Sequence, residues 1–233
     1  MSEASDKVLG INTLPLFPLP LVLLPNEILP LHIFEPRYRQ MLQDIEHTRN
    51  IFGSTYFDTD ESSTELPAVG SIGCSAEIRD RQVMPDGRSN VITQGLIRYR
   101  LMEYAESGTP YLTVNVEFFE DEPDETPQLQ MIADEVYEVF GRIAKAAFKL
   151  SGNRGQMPEI PKTEPEKLSF LITAAFNLEN ELKSELLAIT VTAERLERLR
   201  TILLMAVDQM EDSAEIHRVA RTNGHSDKKI DLG

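Results

Sequence analysis

The sequence contains little that would support disulfide bonding, membrane insertion or secretion. Its single cysteine, Cys74, cannot form an internal disulfide, and it lies in an apolar stretch where a cysteine usually packs as a small buried residue. No apolar run approaches the roughly 18 residues of a membrane-spanning helix. The N-terminus carries acidic residues where a signal peptide carries basic ones. We therefore expect a soluble protein of the cytoplasm.

Positive charge is also scarce. The 233 residues include 23 Lys and Arg against 38 Asp and Glu, which gives a formal net charge of −15. Nucleic-acid binding depends on clustered Lys and Arg, because these side chains neutralise the phosphates. The charge balance therefore argues against nucleic acid as the main partner.

Motifs for catalysis and metal binding are missing as well. No glycine is followed by lysine, which excludes a phosphate-binding loop with its lysine. Ser226 and Lys229 have a Ser-x-x-Lys spacing, but they lie in a polar tail with nothing around them to activate the lysine. The four histidines form no HExxH or Cys/His spacing. We therefore predict no catalytic residue, no metal site and no cofactor, and we expect the protein not to be an enzyme.

A proline-rich apolar stretch, Leu14 to Ile45, dominates the first part of the chain. Proline has no backbone N–H and a fixed φ, so a central strand does not tolerate it at this density. We predict short strands that bend at the prolines around a barrel-like sheet, and a helix that begins at Pro36. The apolar face of that helix has the spacing i, i+3, i+4, i+7 and consists of Tyr38, Met41, Leu42 and Ile45.

The sequence from Ile51 to Phe118 has the character of further strands. It is rich in β-branched and aromatic residues, and Asp86-Gly87 is a hairpin signal. Gly95 is expected to interrupt a strand. The segments predicted as strands are Thr13–Phe17, Leu29–Ile33, Ile51–Phe57, Val69–Arg81, Ser89–Gln94, Ile97–Tyr104 and Leu112–Phe118, with a turn at Pro25-Asn26-Glu27 and an exposed loop at Asp58–Pro67.

The charged segment Glu120 to Pro127 separates these strands from a helical half. Apolar residues then recur every three or four positions, and Thr163 to Glu166 has the spacing of a capping box. The predicted helices are Leu129–Leu150, one that opens at Thr163–Glu166 and runs to Ala175, a short one around Leu182–Leu187, and Ala193–Met210, with a loop at Ser151–Lys162. We predict a β-rich lobe over residues 12–120, a helical lobe over 127–212, and flexible tails over 1–11 and 213–233.

Four stretches carry a resemblance to a known family. They are Leu14-Pro-Leu-Phe-Pro-Leu with Leu29-Pro-Leu-His-Ile-Phe-Glu-Pro-Arg-Tyr38, the block Val69–Leu101, the strand after Pro110, and Leu178–Leu187 with Glu194–Leu199. Together they resemble the N-terminal, substrate-binding domain of the Lon protease family, and are most similar to stand-alone LON-domain proteins and to the LON domain of certain RING-finger ubiquitin ligases. The resemblance implies an α+β fold, with a PUA-like, β-rich pseudo-barrel lobe that contains one helix, followed by an all-helical bundle lobe.

The resemblance also implies a function. A complete Lon enzyme has an ATPase module and a Ser-Lys protease module, and this sequence ends before either. We therefore expect a non-catalytic module, without those domains, that recognises substrates or acts as an adaptor in protein turnover. Its partners would be unfolded or partner polypeptides and a separate protease. Two alternatives stay open: a PUA-like RNA-binding protein, and a scaffold that self-associates through the long helices.

Charged residues within the family motifs are the first candidates for a peptide-binding site. Glu35, Arg37 and Arg98, with Arg100, are expected to form a polar rim that holds a peptide carboxylate or backbone. The alternative is structural: Glu35 caps the helix and pairs with Arg98 or Arg37, which would pin the helix against the sheet.

Aromatic residues near the same motifs are the second candidates. Phe34 and Tyr38, with Phe52, Tyr56 and Phe57, are expected either to line an apolar groove for unfolded segments or to belong to the core. The residues predicted to bind peptide are therefore Phe34, Glu35, Arg37, Tyr38 and Arg98.

Overall fold

The computed structural model describes residues 2–58, 66–150 and 159–223. Its strands are β1 (Thr13–Leu19), β2 (Ile28–Ile33), β3 (Ile51–Tyr56), β4 (Ile72–Val83), β5 (Ser89–Tyr104) and β6 (Leu112–Phe119). Its helices are α1 (Glu3–Val8), α2 (Pro36–Glu46), α3 (Leu129–Leu150), α4 (Pro165–Ala175), α5 (Asn180–Ala188) and α6 (Thr192–Asn223). The mixed α/β organisation expected from the sequence is confirmed, and the predicted loop residues 59–65 and 151–158 lie outside the described residues.

The six strands form one sheet that closes on itself. Its order is β2-β5-β4-β3-β1-β6, and β5 also pairs with β6. Strands β5, β4, β3, β1 and β6 therefore form a closed ring. Within the ring β1 runs parallel to β3, and the other pairs are antiparallel. Strand β2 stands outside the ring and pairs only with Ser89 to Gln94 of β5 among the described strands. It is therefore an edge strand of the described sheet.

Apolar side chains on the two sides of β1 build two cores. Leu14 and Leu16 pack with residues of β5 and β6, such as Tyr99 and Val114. The opposite side of the strand packs against α2, whose buried residues are Tyr38, Met41, Leu42 and Ile45. The apolar face predicted for α2 from its spacing is therefore confirmed.

Two further clusters involve the helices after β6. Residues of α3, α4 and α6, including Val136, Ile172 and Leu199, form one buried cluster. A smaller cluster combines Val22 and Leu24, which precede β2, with Phe170 and Leu187. This small cluster joins the proline-rich stretch to α4 and α5, so the sheet and the helices share buried surface.

Helices lie in both segments predicted as flexible tails, and the flexibility of these segments stays a prediction. Residues 3–8 form α1, because Ser2 caps the helix by accepting from Ser5 N at 3.1 Å and Val8 is only 4% exposed against the sheet. At the other end α6 continues to Asn223, beyond the predicted end at Met210. Residues 211–221 contain neither glycine nor proline, so nothing in this segment breaks the helix. Residues 224–233 lie outside the described residues.

Candidate functional site

An exposed apolar strip follows the edge strand β2. The sequence Ile-Leu-Pro-Leu-His-Ile alternates between the two faces of the sheet, and Ile28, Pro30 and His32 are the exposed members. Ile92 of β5 lies opposite Pro30 and is also exposed. Just beyond the strand, the ring of Phe34 stacks 6.2 Å from that of His32. We call these five residues the β2 strip.

The β2 strip contains large apolar side chains that are exposed to solvent. The exposed fraction is 59% for Phe34 and 54% for Ile28. Pro30 is tolerated here because a missing N–H on an edge strand breaks no bond inside the sheet. His32 keeps a polar contact, since its Nδ1 lies 2.7 Å from Asn90 Oδ1 on β5. An exposed apolar row beside an unpaired strand edge is typical of surfaces that bind extended polypeptide.

A groove opens at the beginning of β2. One wall consists of Pro25 to Ile28, and the other consists of α4 residues, among them Phe170 and Ala174. Pro161 to Thr163 close one end, and the volume of the groove is about 530 Å³. We call it the α4 groove. Because Ile28 belongs to both the groove and the β2 strip, the two form one continuous surface.

The first wall of the groove is held in place by backbone hydrogen bonds. Asn26 N donates to Gly95 O, and Gly95 N donates to Glu27 O, both at 2.9 Å. The Glu27 carboxylate accepts from Leu24 N at 2.9 Å, and burial raises the pKa of this carboxyl. Asn26 has a φ of 67°, a value that asparagine tolerates better than most residues. The predicted turn is confirmed, whereas the expected interruption at Gly95 is wrong, because β5 is continuous from Ser89 to Tyr104.

A buried ion cluster supports the second wall. The Asp121 side chain is 4% exposed and pairs with the guanidinium groups of Arg98, 2% exposed, and Arg195, fully buried. Thr192 Oγ1 also donates to Asp121. Phe170, which lines the groove, lies under Arg195 with 4.0 Å from its ring centroid to the guanidinium carbon. We call Arg98, Asp121 and Arg195 the Asp121 cluster.

Both arginines of the Asp121 cluster also bond to the end of α5. Arg98 donates to Leu187 O at 3.0 Å and to Ile189 O at 2.6 Å, and Arg195 donates to Ile189 O at 2.6 Å. Cations are favourable there because the last carbonyls of a helix lack partners and carry partial negative charge. Burial lowers the pKa of Arg98, an effect that the Asp121 carboxylate opposes. The cluster thereby ties β5 to α5 and α6.

The segment predicted as a charged hinge is held by its carboxylates. Asp124 Oδ2 accepts from Ala193 N, the second residue of α6, at 2.7 Å, and its Oδ1 accepts from Thr126 N at 3.0 Å. The first N–H groups of a helix have no partner within it, so a carboxylate there acts as a cap. Hydrogen bonds from Thr126, followed by the one from Ala193, lower the pKa of Asp124.

Replacing Asp124 by alanine is expected to lower the free energy of unfolding by about 1 kcal/mol at neutral pH, the usual effect of losing a helix cap. Because the folded pKa is depressed, this contribution is present above the unfolded pKa of about 3.9 and is lost as the pH falls through the folded pKa. Urea unfolding of both proteins at several pH values measures the difference. Asp124→Asn keeps an acceptor oxygen and serves as the control; a difference that stays constant down to low pH would contradict the assignment.

The structure separates the five residues predicted to bind peptide. Phe34, Glu35 and Arg37 lie at the surface, where Glu35 and Arg37 form an ion pair at 2.9 Å. Tyr38 belongs to the core, beneath the Arg37 guanidinium, and Arg98 is buried in the Asp121 cluster. The expected pairing of Glu35 with Arg37 is confirmed. Arg98, the other partner considered for Glu35, lies on the half of β5 that pairs with β6 and not with β2.

Other sequence-based expectations have mixed outcomes. The side chain of Glu35 makes no capping hydrogen bond to α2, so the predicted cap is wrong. Phe52 is buried in the core, and Tyr56 donates to Glu181 Oε1 at 2.9 Å. Arg100 donates to Gly70 O at 3.4 Å. Sequence reasoning missed Asp121 as a site residue, because it lies in an acidic stretch that is typical of solvated loops.

The described residues contain neither a metal-binding cluster nor a membrane-spanning helix. Within residues 2–58, 66–150 and 159–223, no group of three or more His, Cys, Asp or Glu side chains is placed to hold a metal ion. Over the same residues, no helix has both the length and the apolar character needed to cross a membrane. Cys74 is buried, and burial raises the pKa of its thiol.

Comparisons with known proteins agree with the resemblance seen in the sequence. Residues 13–204 match the family described as the ATP-dependent protease La (LON) substrate-binding domain. The Lon protease of Parabacteroides distasonis is 28% identical over 182 residues, which cover 69% of this chain and 22% of that protein. The Lon protease of Brevibacillus choshinensis is 27% identical over 206 residues, or 87% of this chain and 26% of that protein. The chain thus spans about a quarter of the length of these relatives.

Two solved structures share the fold. A Lon N-terminal domain protein from Xanthomonas campestris superposes with a TM-score of 0.58 and 23% identity, covering 81% of this chain and 97% of that one. The N-terminal domain of the Mycobacterium avium complex Lon protease superposes with a TM-score of 0.62 and 18% identity, covering 82% and 97%. At these identities the comparison concerns the fold alone.

Proposed function

Because the chain belongs to the LON substrate-binding domain family, we propose that it binds unfolded polypeptide segments without acting on them chemically. The observation that carries this proposal is the β2 strip, where Ile28, Phe34 and Ile92 are exposed on and beside an edge strand. Unfolded segments expose apolar side chains and unpaired backbone groups. The strip offers a partner for both, since its side chains bury apolar area and the strand edge pairs with backbone.

Of the five residues predicted to bind peptide, three lie on this surface, and Tyr38 and Arg98 support it from behind. Phe34 contributes apolar area, and Glu35 and Arg37 stand beside it as a polar border. Tyr38 anchors α2 in the core directly behind them, and the Arg98 guanidinium lies 5.3 Å from the ring centroid of Phe170, which lines the α4 groove. In this proposal the peptide touches Phe34, Glu35 and Arg37, while Tyr38 and Arg98 position the surface.

The wider role that we propose is recognition in protein turnover. The chain would act as a cytoplasmic recognition or adaptor module, without ATPase or protease domains of its own, and a separate protease would act on what it binds. The sheet and α2 would correspond to a PUA-like lobe over residues 12–120, and the helices after Pro127 to a bundle lobe that ends near residue 212. Resemblance to the family supports these proposals.

The RNA-binding alternative gains no support from the described residues. Lys7 and Arg79 approach each other near α1, but both pair with Glu77, at 2.9 Å and 2.8 Å respectively. A phosphate would have to compete with this carboxylate. Self-association through the long helices stays a prediction.

Replacing Phe34 by aspartate is expected to weaken polypeptide binding at least tenfold. Burying a Phe side chain contributes about 1.5–3 kcal/mol, and about 1.4 kcal/mol corresponds to a factor of ten in affinity. Ile28→Asp is expected to act in the same direction, since it removes another large exposed member of the β2 strip. Titration of a fluorescent, permanently unfolded polypeptide, reduced and alkylated at its cysteines, measures both effects.

Met205→Asp is the matched control. Met205 of α6 is 62% exposed, so the replacement removes a similar exposed apolar side chain at a position outside the β2 strip. All variants are first compared in thermal unfolding, because exposed positions should leave stability nearly unchanged. Equal weakening by Met205→Asp and Phe34→Asp, or no weakening by either, would sink the proposed site.

A further inference from the structure

The α4 groove has an unusual charge for this protein. Its lining contains two lysines, Lys162 and Lys167, and one acidic residue, Glu27. Both lysines are exposed, and neither forms an ion pair with another residue in the described part of the chain. The Glu27 carboxylate already accepts a hydrogen bond from Leu24 N. The groove is thus locally positive in a chain whose formal net charge is −15.

The two lysines frame the groove from different segments. Lys162 precedes α4, and its ammonium lies 5.7 Å from the Tyr137 ring centroid, which favours a position near that ring. Lys167 is in the first turns of α4. Glu166 beside it lines a separate cavity, and Lys167 borders both that cavity and the groove. Both ammonium groups are therefore available to an acidic ligand in the groove.

Most of the remaining lining is apolar, and one wall is held by hydrogen bonds. Its apolar members include Ile28, Phe170, Leu171, Ala174 and two prolines. A volume of about 530 Å³ lies within the usual range of ligand sites. The hydrogen bonds between Pro25–Glu27 and Gly95 fix one wall, so little order has to be created on binding. Such a groove accepts apolar side chains, and its lysine border accepts carboxylates.

We propose that the α4 groove selects polypeptide segments in which apolar residues are interspersed with Asp or Glu, and that Lys162 and Lys167 determine this selectivity. The inference rests on the proposed function, because it specifies which unfolded segments the surface prefers. Elsewhere the acidic surface repels a negatively charged segment, since like charges within a Debye length raise the free energy of binding. At the groove, Lys162 and Lys167 attract such a segment instead.

Two fluorescent peptides test the inference. They share one apolar sequence, and one carries aspartates where the other carries serines. At low salt the aspartate peptide is expected to bind about tenfold more tightly, since two exposed ion pairs each contribute up to roughly 1 kcal/mol. The preference should shrink as salt is added. In the Lys162→Glu, Lys167→Glu double variant it should disappear or reverse, while affinity for the serine peptide is nearly unchanged.

Lys145→Glu is the matched control, because Lys145 is exposed on α3 and lies outside the groove. It should leave the preference intact. Equal binding of the two peptides, or a preference that survives in the double variant, would overturn the lysine assignment while leaving polypeptide binding in place. Failure of the serine and aspartate peptides alike to bind the unaltered protein would overturn the proposed function and this inference together.

Discussion

Asp121→Ala is expected to lower the free energy of unfolding by about 3–5 kcal/mol, because removing one partner of a buried ion pair leaves the other charge uncompensated. Here one carboxylate serves two guanidinium groups, those of Arg98 and Arg195, and all three side chains are almost completely buried. Burial removes the water that would otherwise solvate the arginines. Thr192 Oγ1 loses its acceptor in the same variant.

Urea unfolding at neutral pH measures this loss, and two further variants calibrate it. Asp121→Asn keeps one carbonyl acceptor but no charge, so its effect should lie between those of alanine and the unaltered protein. Glu135→Ala removes the acidic partner of Arg200 from an exposed ion pair at 2.8 Å, and such pairs contribute about 0–1 kcal/mol. Comparable losses for Asp121→Ala and Glu135→Ala would show that burial does not strengthen the Asp121 cluster.

Gly95→Ala is expected to lower the free energy of unfolding by about 1–3 kcal/mol or more, as overpacking of a close contact does. A Cβ atom at position 95 would lie 2.1 Å from Leu24 O and 3.0 Å from Leu24 C. These are backbone atoms of the turn that forms one wall of the α4 groove, so no flexible side chain can yield. The turn has to shift, and its hydrogen bonds with Gly95 lengthen or break.

Two measurements separate this effect from a general glycine effect. Thermal or urea unfolding measures the stability of the variant. Titration of the aspartate peptide measures its affinity for the groove, which is expected to fall if the groove has changed shape. Gly141→Ala is the control, because a Cβ there meets no atom within 4 Å and the residue lies in α3. In a helix interior this replacement usually stabilises by roughly 0.5–1 kcal/mol. A Gly95→Ala variant as stable as the unaltered protein would contradict the close approach.

Local patterns predicted the elements better than the contacts between them. The spacing behind Pro36 identified the buried face of α2, because helical periodicity is a property of neighbouring residues. Asp121 lies 23 residues from Arg98 and 74 from Arg195, and no local pattern connects the three positions. Only the folded chain brings the three charges together, so sequence reasoning assigned Arg98 to a peptide rim.

The candidate site was predicted in part for the same reason. Phe34 belongs to a recognisable motif, and its exposure fits a binding role. Ile28 and Ile92 share the surface because β2 pairs with β5 in one register, with Pro30 opposite Ile92. The α4 groove joins Pro25–Ile28 to α4, which lies more than 130 residues later in the sequence. Periodicity carries no information about such a junction.

Ring closure in the sheet has a consequence for biosynthesis. Thr13 of β1 pairs with Asn115 of β6, a separation of 102 residues, so the first strand emerges from the ribosome long before its last neighbour. Until β6 has been made, β1 and the later half of β5 each keep one edge unpaired, and both are rich in apolar residues. Unpaired edges of this kind favour strand exchange between nascent chains. The nascent protein itself therefore presents, for a time, the kind of extended apolar segment that a chaperone binds.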